Sequence, residues 1–208
     1  MKPMKTSAVH LLAALITCAL IPFFAAQAKA ADCDSYAEQL SVMTSADQAL
    51  RGRQDFLRLE DPRQRKLSGH IVLVDRTNTA RLKALVTQCG WPTKSGQGAK
   101  AVGDAWLLAQ HADHDVAFQK RALALIEQAA QAGEAPPNNV AYLADRIAVA
   151  EKRPQPYGTQ LRSKSTPCDL EFAPMDDREK VEARRKTLGL PTLDKYRELV
   201  LVMTHCQH

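Results

Sequence analysis

The sequence predicts a mainly α fold, a single multi-helix domain of five or six helices with one irregular, loop-rich segment and two disulfides. Three observations predict it. Apolar residues recur at three- and four-residue steps through most of the chain, as helices with one buried face require. Glycine and proline cluster between those stretches, where helices must stop. Four cysteines, Cys33, Cys89, Cys168 and Cys206, remain once a leader-like N-terminus is set aside.

Residues 1–30 carry Lys2 and Lys5, then an apolar run, then small residues at Ala28 and Ala30, the three-part design of a secretory signal peptide with a cut after Ala30. The run is short against the roughly 20 residues that span a bilayer, and Pro22 interrupts it, so no stable membrane anchor is expected after cleavage. Residues 31–208 then form the helical domain, in the periplasm or secreted. The leader also carries three of the 28 basic residues and no acid, so the remainder has 25 basic against 23 acidic residues, a net charge of +2. That balance, with no basic and aromatic cluster, excludes a nucleic-acid partner.

A first helix is expected within residues 34–57, with Tyr36, Leu40, Met43, Ala46 or Asp47, and Leu50 at helical spacing. Asp61-Pro62 breaks the chain, and a second helix follows over about 67–88. Gly90 and Pro92 end it. An antiparallel pair brings Cys33 beside Cys89, and the same logic for the last two helices brings Cys168 beside Cys206. Each bridge closes a long loop and adds roughly 3 to 4 kcal/mol in the chain-entropy model.

Residues 94–103, with three glycines, read as a connection or a site-lining loop. Residues 102–132 read as one long helix stopped by Gly133, with Leu107, Leu108, Phe118, Ala122, Leu125, Ile126 and Ala129 on one face. His111 and Asp115 interrupt that face one turn apart. A further helix is expected from Val140 to about Glu151. Residues 154–160, with two prolines and a glycine, cannot be regular helix and are the candidate for a short extended piece. Residues 161–175 look irregular. The stretch 176–188 reads as a helix with acids first and bases last. Thr192 caps a final helix through Tyr196, Leu199, Val200 and Met203.

Polar residues stand where a simple bundle would place aliphatic ones: Asp47-Gln48-x-x-Arg51, Asp75-x-x-Asn78, residues 110–115, Asp145-Arg146 and residues 155–160. The order G-W-P, Q-H-A-D-x-D, A-Y-L-x-D-R and Q-x-Y-G-T-Q resembles a family known as a domain of unknown function, over roughly residues 40–200. The resemblance implies a shared fold and a shared site, with no established activity to carry over. Arg153 stands where that pattern commonly has a glycine.

The sequence puts His111 forward as general acid or base, with Asp115 four residues on to hold one tautomer. Gln48, Arg51, Asp145, Arg146, Tyr157 and Gln160 are the expected substrate-binding residues, Arg146 gripping an anionic group and the 157–160 segment offering hydroxyl and amide donors that suit either ligand contacts or locking that loop to the helices. No metal or other cofactor is expected; the weaker alternative is an ion on His111, Asp115 and Asp75, although H-E-x-x-H is absent. A serine hydrolase lacks its G-x-S-x-G. Two functions stay open: a hydrolase or lyase using His111, and a non-catalytic domain binding an unknown small-molecule or protein ligand. In a purely structural reading, the polar residues satisfy one another in the core.

Overall fold

The computed structural model describes residues 33–204 and 206; the leader-like stretch lies outside them. Among the described residues the order is α1 (Tyr36–Arg51), a 3-10 turn (Phe56–Arg58), α2 (Pro62–Cys89), α3 (Ala99–Gln110), α4 (Val116–Gln131), α5 (Asn138–Ala150), β1 (Leu161–Ser163), β2 (Leu170–Phe172), α6 (Arg178–Thr187) and α7 (Leu193–Met203). The fold is mainly α, as expected, with seven α-helices among the described residues where the sequence suggested five or six.

The extra helix comes from one correction. The stretch read as a single helix over residues 102–132 is two helices, broken at residues 111–115. The reason is local chemistry. Histidine and aspartate dominate this pentapeptide, and short polar side chains bond the backbone better outside a helix than within one. Asp115 is the N-cap of α4, accepting the Phe118 N–H at 2.9 Å. The Asp115 N–H returns to the Ala112 carbonyl at 2.8 Å, closing the turn.

α1 packs against α2 and α3, α4 against α5, and α3 also against α5. Tyr36, Leu40, Met43, Leu82, Leu85, Leu108, Phe118, Ile126, Leu143 and Ile147 form the core between them. Burying each large side chain contributes about 1.5–3 kcal/mol. α3 meets its neighbours with Ala101, Ala105 and Ala109, whose small side chains permit helix axes to lie close.

Both disulfides pair as the helix hairpins imply, Cys33 with Cys89 and Cys168 with Cys206. Beside the first, the Tyr36 hydroxyl donates to the Gly90 carbonyl at 3.1 Å, fixing the start of α1 on the end of α2. Burial pushes that phenol above its ordinary value. No described helix is long and apolar enough to cross a membrane.

The segment expected to be irregular holds a small antiparallel hairpin with Leu161 opposite Phe172 and Ser163 opposite Leu170. The extended piece thus falls just after the 154–160 stretch, which contributes only a single bridge, Gln155 to Met175. Asp177 then caps α6 through the Glu179 and Lys180 N–H groups, and Thr192 caps α7 through Lys195.

Candidate functional site

α1 buries Tyr36, Leu40, Met43 and Asp47, spaced four, three and four residues apart. The last position of that stripe carries a carboxylate at 1% exposure. A charge placed there must be paired, and three side chains supply the partners. His111 Nδ1 lies 3.1 Å from Asp47 Oδ1. Arg51, one turn further along α1, donates Nε to the same oxygen at 2.9 Å. Gln48 donates Nε2 to Oδ2 at 2.7 Å. Arg51 also reaches across to α2, where its Nη2 meets Asp75 Oδ1 at 2.6 Å. The cluster therefore joins α1, α2 and the C-terminal end of α3.

Burial alone would push the Asp47 carboxyl up, but the hydrogen bonds and charges of His111, Gln48 and Arg51 outweigh it and hold the group well below the usual carboxylate range. For Asp75 the balance is reversed: burial pushes it above its ordinary value despite Arg51. An ionised Asp47 is an acceptor only, so the proton between the two groups sits on His111 Nδ1. In neutral imidazole this leaves Nε2 with its lone pair free. Nε2 has no protein partner among the described residues, and the His111 side chain retains 16% of its exposure.

This corrects the expected pairing of His111 with Asp115. The helix break removes the one-turn geometry, and Asp115 instead binds Lys83 Nζ at 2.6 Å and caps α4. These contacts hold its carboxyl below the ordinary range. The ion-binding alternative changes with it, since Asp47 replaces Asp115. Asp47, Asp75 and His111 each place one donor atom within 4.8 Å of the others. Zinc with bonds of about 2.0–2.2 Å could use such donors, yet the Arg51 guanidinium already bridges both carboxylates. An ion would have to displace it.

Arg146 does grip a carboxylate, but one of its own chain. Its Nη1 contacts both oxygens of Asp113, at 3.0 and 2.9 Å, and its Nε donates to Gln110 Oε1 at 3.0 Å. It thereby braces the 111–115 turn that carries His111. Gln119, fully buried on α4, adds Nε2 contacts to the Gln110 carbonyl and to Asp113.

Asp145, Tyr157 and Gln160 form a separate constellation. Asp145, at 0% exposure, accepts the backbone N–H of Tyr157 at 2.9 Å and of Thr159 at 2.6 Å. Burial pushes its carboxyl up to about 6, against the pull of those donors and of Arg185. Gln155 closes the loop from inside, accepting the Gln160 N–H at 2.7 Å and donating to the carbonyls of Gln160 and Ala173. Arg185 of α6 donates to the Pro191, Tyr157 and Gly158 carbonyls, and its guanidinium lies 5.0 Å from the Tyr196 ring centre. The 155–160 segment is thus locked to α5, α6 and α7, and no hydrogen bond ties it to the Asp47–His111 cluster among the described residues.

Of the expected site residues, the structure joins His111, Arg51 and Gln48, with Asp75 from the ion-binding alternative. It assigns Arg146 to bracing, and sets Asp145, Tyr157, Gln160 and Asp115 elsewhere. Asp47 is the residue the site assignment missed. Its signal was legible, because a carboxylate continuing an apolar helical stripe needs a buried partner. Arg185 was missed as well: it follows Val181 by one turn on the buried side of α6, inside a basic run that reads as helix-dipole compensation. Three clefts of about 610, 400 and 360 Å³ open elsewhere on the surface, and His111 lines none of them.

These features define a helical protein stapled by two disulfides, with a buried carboxylate holding a partly exposed histidine. The chain belongs to a family described as Family of unknown function (DUF6624), whose profile matches residues 34–204. No curated protein and no solved structure matches it.

Proposed function

We propose that this is an exported protein in which His111 acts as general acid or base on a small-molecule substrate, in a hydrolase or lyase reaction, with Asp47 as its positioning residue. One observation carries the reading. A fully buried, ionised carboxylate holds His111 Nδ1 at 3.1 Å and leaves Nε2 without a protein partner among the described residues. This is the arrangement proton transfer asks for: a fixed tautomer on one side and a free lone pair on the other. Arg51 and Gln48 lie beside it as candidate substrate contacts. Arg146 acts indirectly by holding the turn through Asp113. Export is supported by the leader-like residues 1–30 and by the two disulfides, which persist in oxidising compartments.

A second reading is favoured by the number of bonds Asp47 already makes: the cluster is an ionic clamp between α1, α2 and α3, and the protein binds a ligand without turnover. Two measurements separate them. Nitrogen NMR of the imidazole should show the Nδ1–H tautomer in the wild type, and loss of that preference in Asp47→Asn. A substrate panel of esters, phosphoesters and glycosides should then reveal a turnover that His111→Ala abolishes while the fold is retained. An Nε2–H tautomer, or turnover unchanged in His111→Ala, would sink the general-base assignment. Metal analysis of protein purified without chelator checks the ion alternative: stoichiometric metal would reassign His111 as a ligand.

A further inference from the structure

A different part of the molecule holds a cleft that can be read whether or not His111 is catalytic. A cleft of about 360 Å³ lies between the end of α5 and the β1–β2 hairpin. Its size falls in the range of small-ligand pockets, about 300–1,000 Å³. Aliphatic side chains from three segments line it, Val149, Leu161 and Pro174, and no aromatic ring does. Lys152, Arg153 and Arg162 line it too.

The cations are not equivalent. Arg153 pairs with Glu151 at 2.5 Å, and Arg162 with Glu171 at 2.7 Å. Glu151 also takes Lys120, so its charge is shared. Lys152 has no ion-pair partner among the described residues. It is also the only non-glycine described residue with positive φ, at 58°. It occupies the left-handed position just past α5, where the Arg153 N–H returns to the Ala148 carbonyl at 2.8 Å. Glycine is the favoured residue for that conformation, because a Cβ crowds the backbone there. A lysine near a helix C-terminus gains from the dipole, but it would gain as much one position earlier in relaxed backbone. Backbone strain at a cleft mouth points to a role for the side chain.

We propose that this cleft binds a medium-chain aliphatic carboxylate, its chain on Val149, Leu161 and Pro174 and its carboxylate on Lys152. The absence of a ring-stacking side chain disfavours a nucleotide, and a three-residue strand gives an acidic peptide little edge to extend. The test is calorimetric titration of the oxidised protein with sodium octanoate, with octan-1-ol and sodium butyrate as the uncharged and the short-chain controls. Octanoate should bind saturably at one site, at least about tenfold more tightly than either control. Lys152→Gly should melt at the same or a higher temperature, since it relaxes the backbone, yet bind octanoate about fivefold more weakly, the scale of one exposed charge pair. Lys152→Gln should weaken binding similarly without changing the backbone preference. Equal binding of octanol and octanoate, no saturable octanoate binding, or undiminished affinity in both Lys152 variants would overturn the proposal.

Discussion

Replacing Asp145 by asparagine tests the loop lock at its centre, because the stability this change restores grows with pH while its hydrogen-bond cost does not. In the wild type, burial raises the carboxyl from 3.8 to about 6. A folded-state value above the unfolded one means that the contribution to stability is full below pH 3.8 and is lost as pH rises through about 6. The difference of about two units corresponds to about 3 kcal/mol. Asparagine avoids that loss but offers one oxygen to the two N–H groups of Tyr157 and Thr159. Below pH 6 the wild-type carboxyl is itself protonated and, like the amide, offers one full acceptor, so the substitution costs at most about 1 kcal/mol there. Asp145→Asn should therefore lie within about 1 kcal/mol of the wild type at pH 4 and become more stable than it by about 2 kcal/mol at pH 7. Urea unfolding of both oxidised proteins at pH 4, 5, 6 and 7 and constant ionic strength measures this directly. The contributions of Asp47 and other groups cancel in the difference. A difference that is flat across the range, or that grows against the variant as pH rises, would refute the assignment of a raised Asp145.

Three further changes probe the remaining constraints. Gly158 has φ of 65°, and a Cβ there would meet Leu193 Cδ2 at 2.6 Å and Met175 Sδ at 3.2 Å. Gly158→Ala should therefore cost about 2–4 kcal/mol from left-handed strain plus overpacking, read as a lower urea midpoint; an unchanged midpoint would show that the loop yields freely. Asp47→Ala leaves His111, Arg51 and Gln48 without their shared acceptor and should cost about 3–5 kcal/mol. His111→Ala, which leaves Asp47 still paired with Arg51, should cost only about 1–3 kcal/mol. Similar losses for the two would contradict the central place of Asp47.

The helices of this protein are written in local patterns, and most were readable. Tyr36, Leu40 and Met43 mark α1 by spacing alone, and Gly90 with Pro92 marks the end of α2. Cys33 meets Cys89 because consecutive helices run antiparallel. The break at residues 111–115 was harder. Apolar residues on either side keep helical phase across it, so periodicity could not reveal that Asp115 bonds Phe118 as a cap. The site reading inherited that error: His111 and Asp115 are neighbours in a helix and strangers across a turn. Asp47 was in view on the apolar stripe of α1, but its partner lies 64 residues away, beyond the reach of spacing arguments. Tyr157 and Gln160 fit two roles by residue type, ligand contact or loop lock. The structure holds their backbone N–H groups on Asp145 and Gln155, which locks the loop to the helices.

The helical class, the stopping points set by glycine and proline, the disulfide pairs and the existence of buried polar residues were all legible in the chain's residues, since each follows from interactions within a few residues or between adjacent helices. Tertiary structure decided which charges meet. Arg51 on Asp47 and Asp75, Arg146 on Asp113, Lys83 on Asp115 and Arg185 on the 155–160 loop all depend on how helices pack. A charge buried by packing takes whichever partner the neighbouring helix presents, and only the packed chain says which one that is.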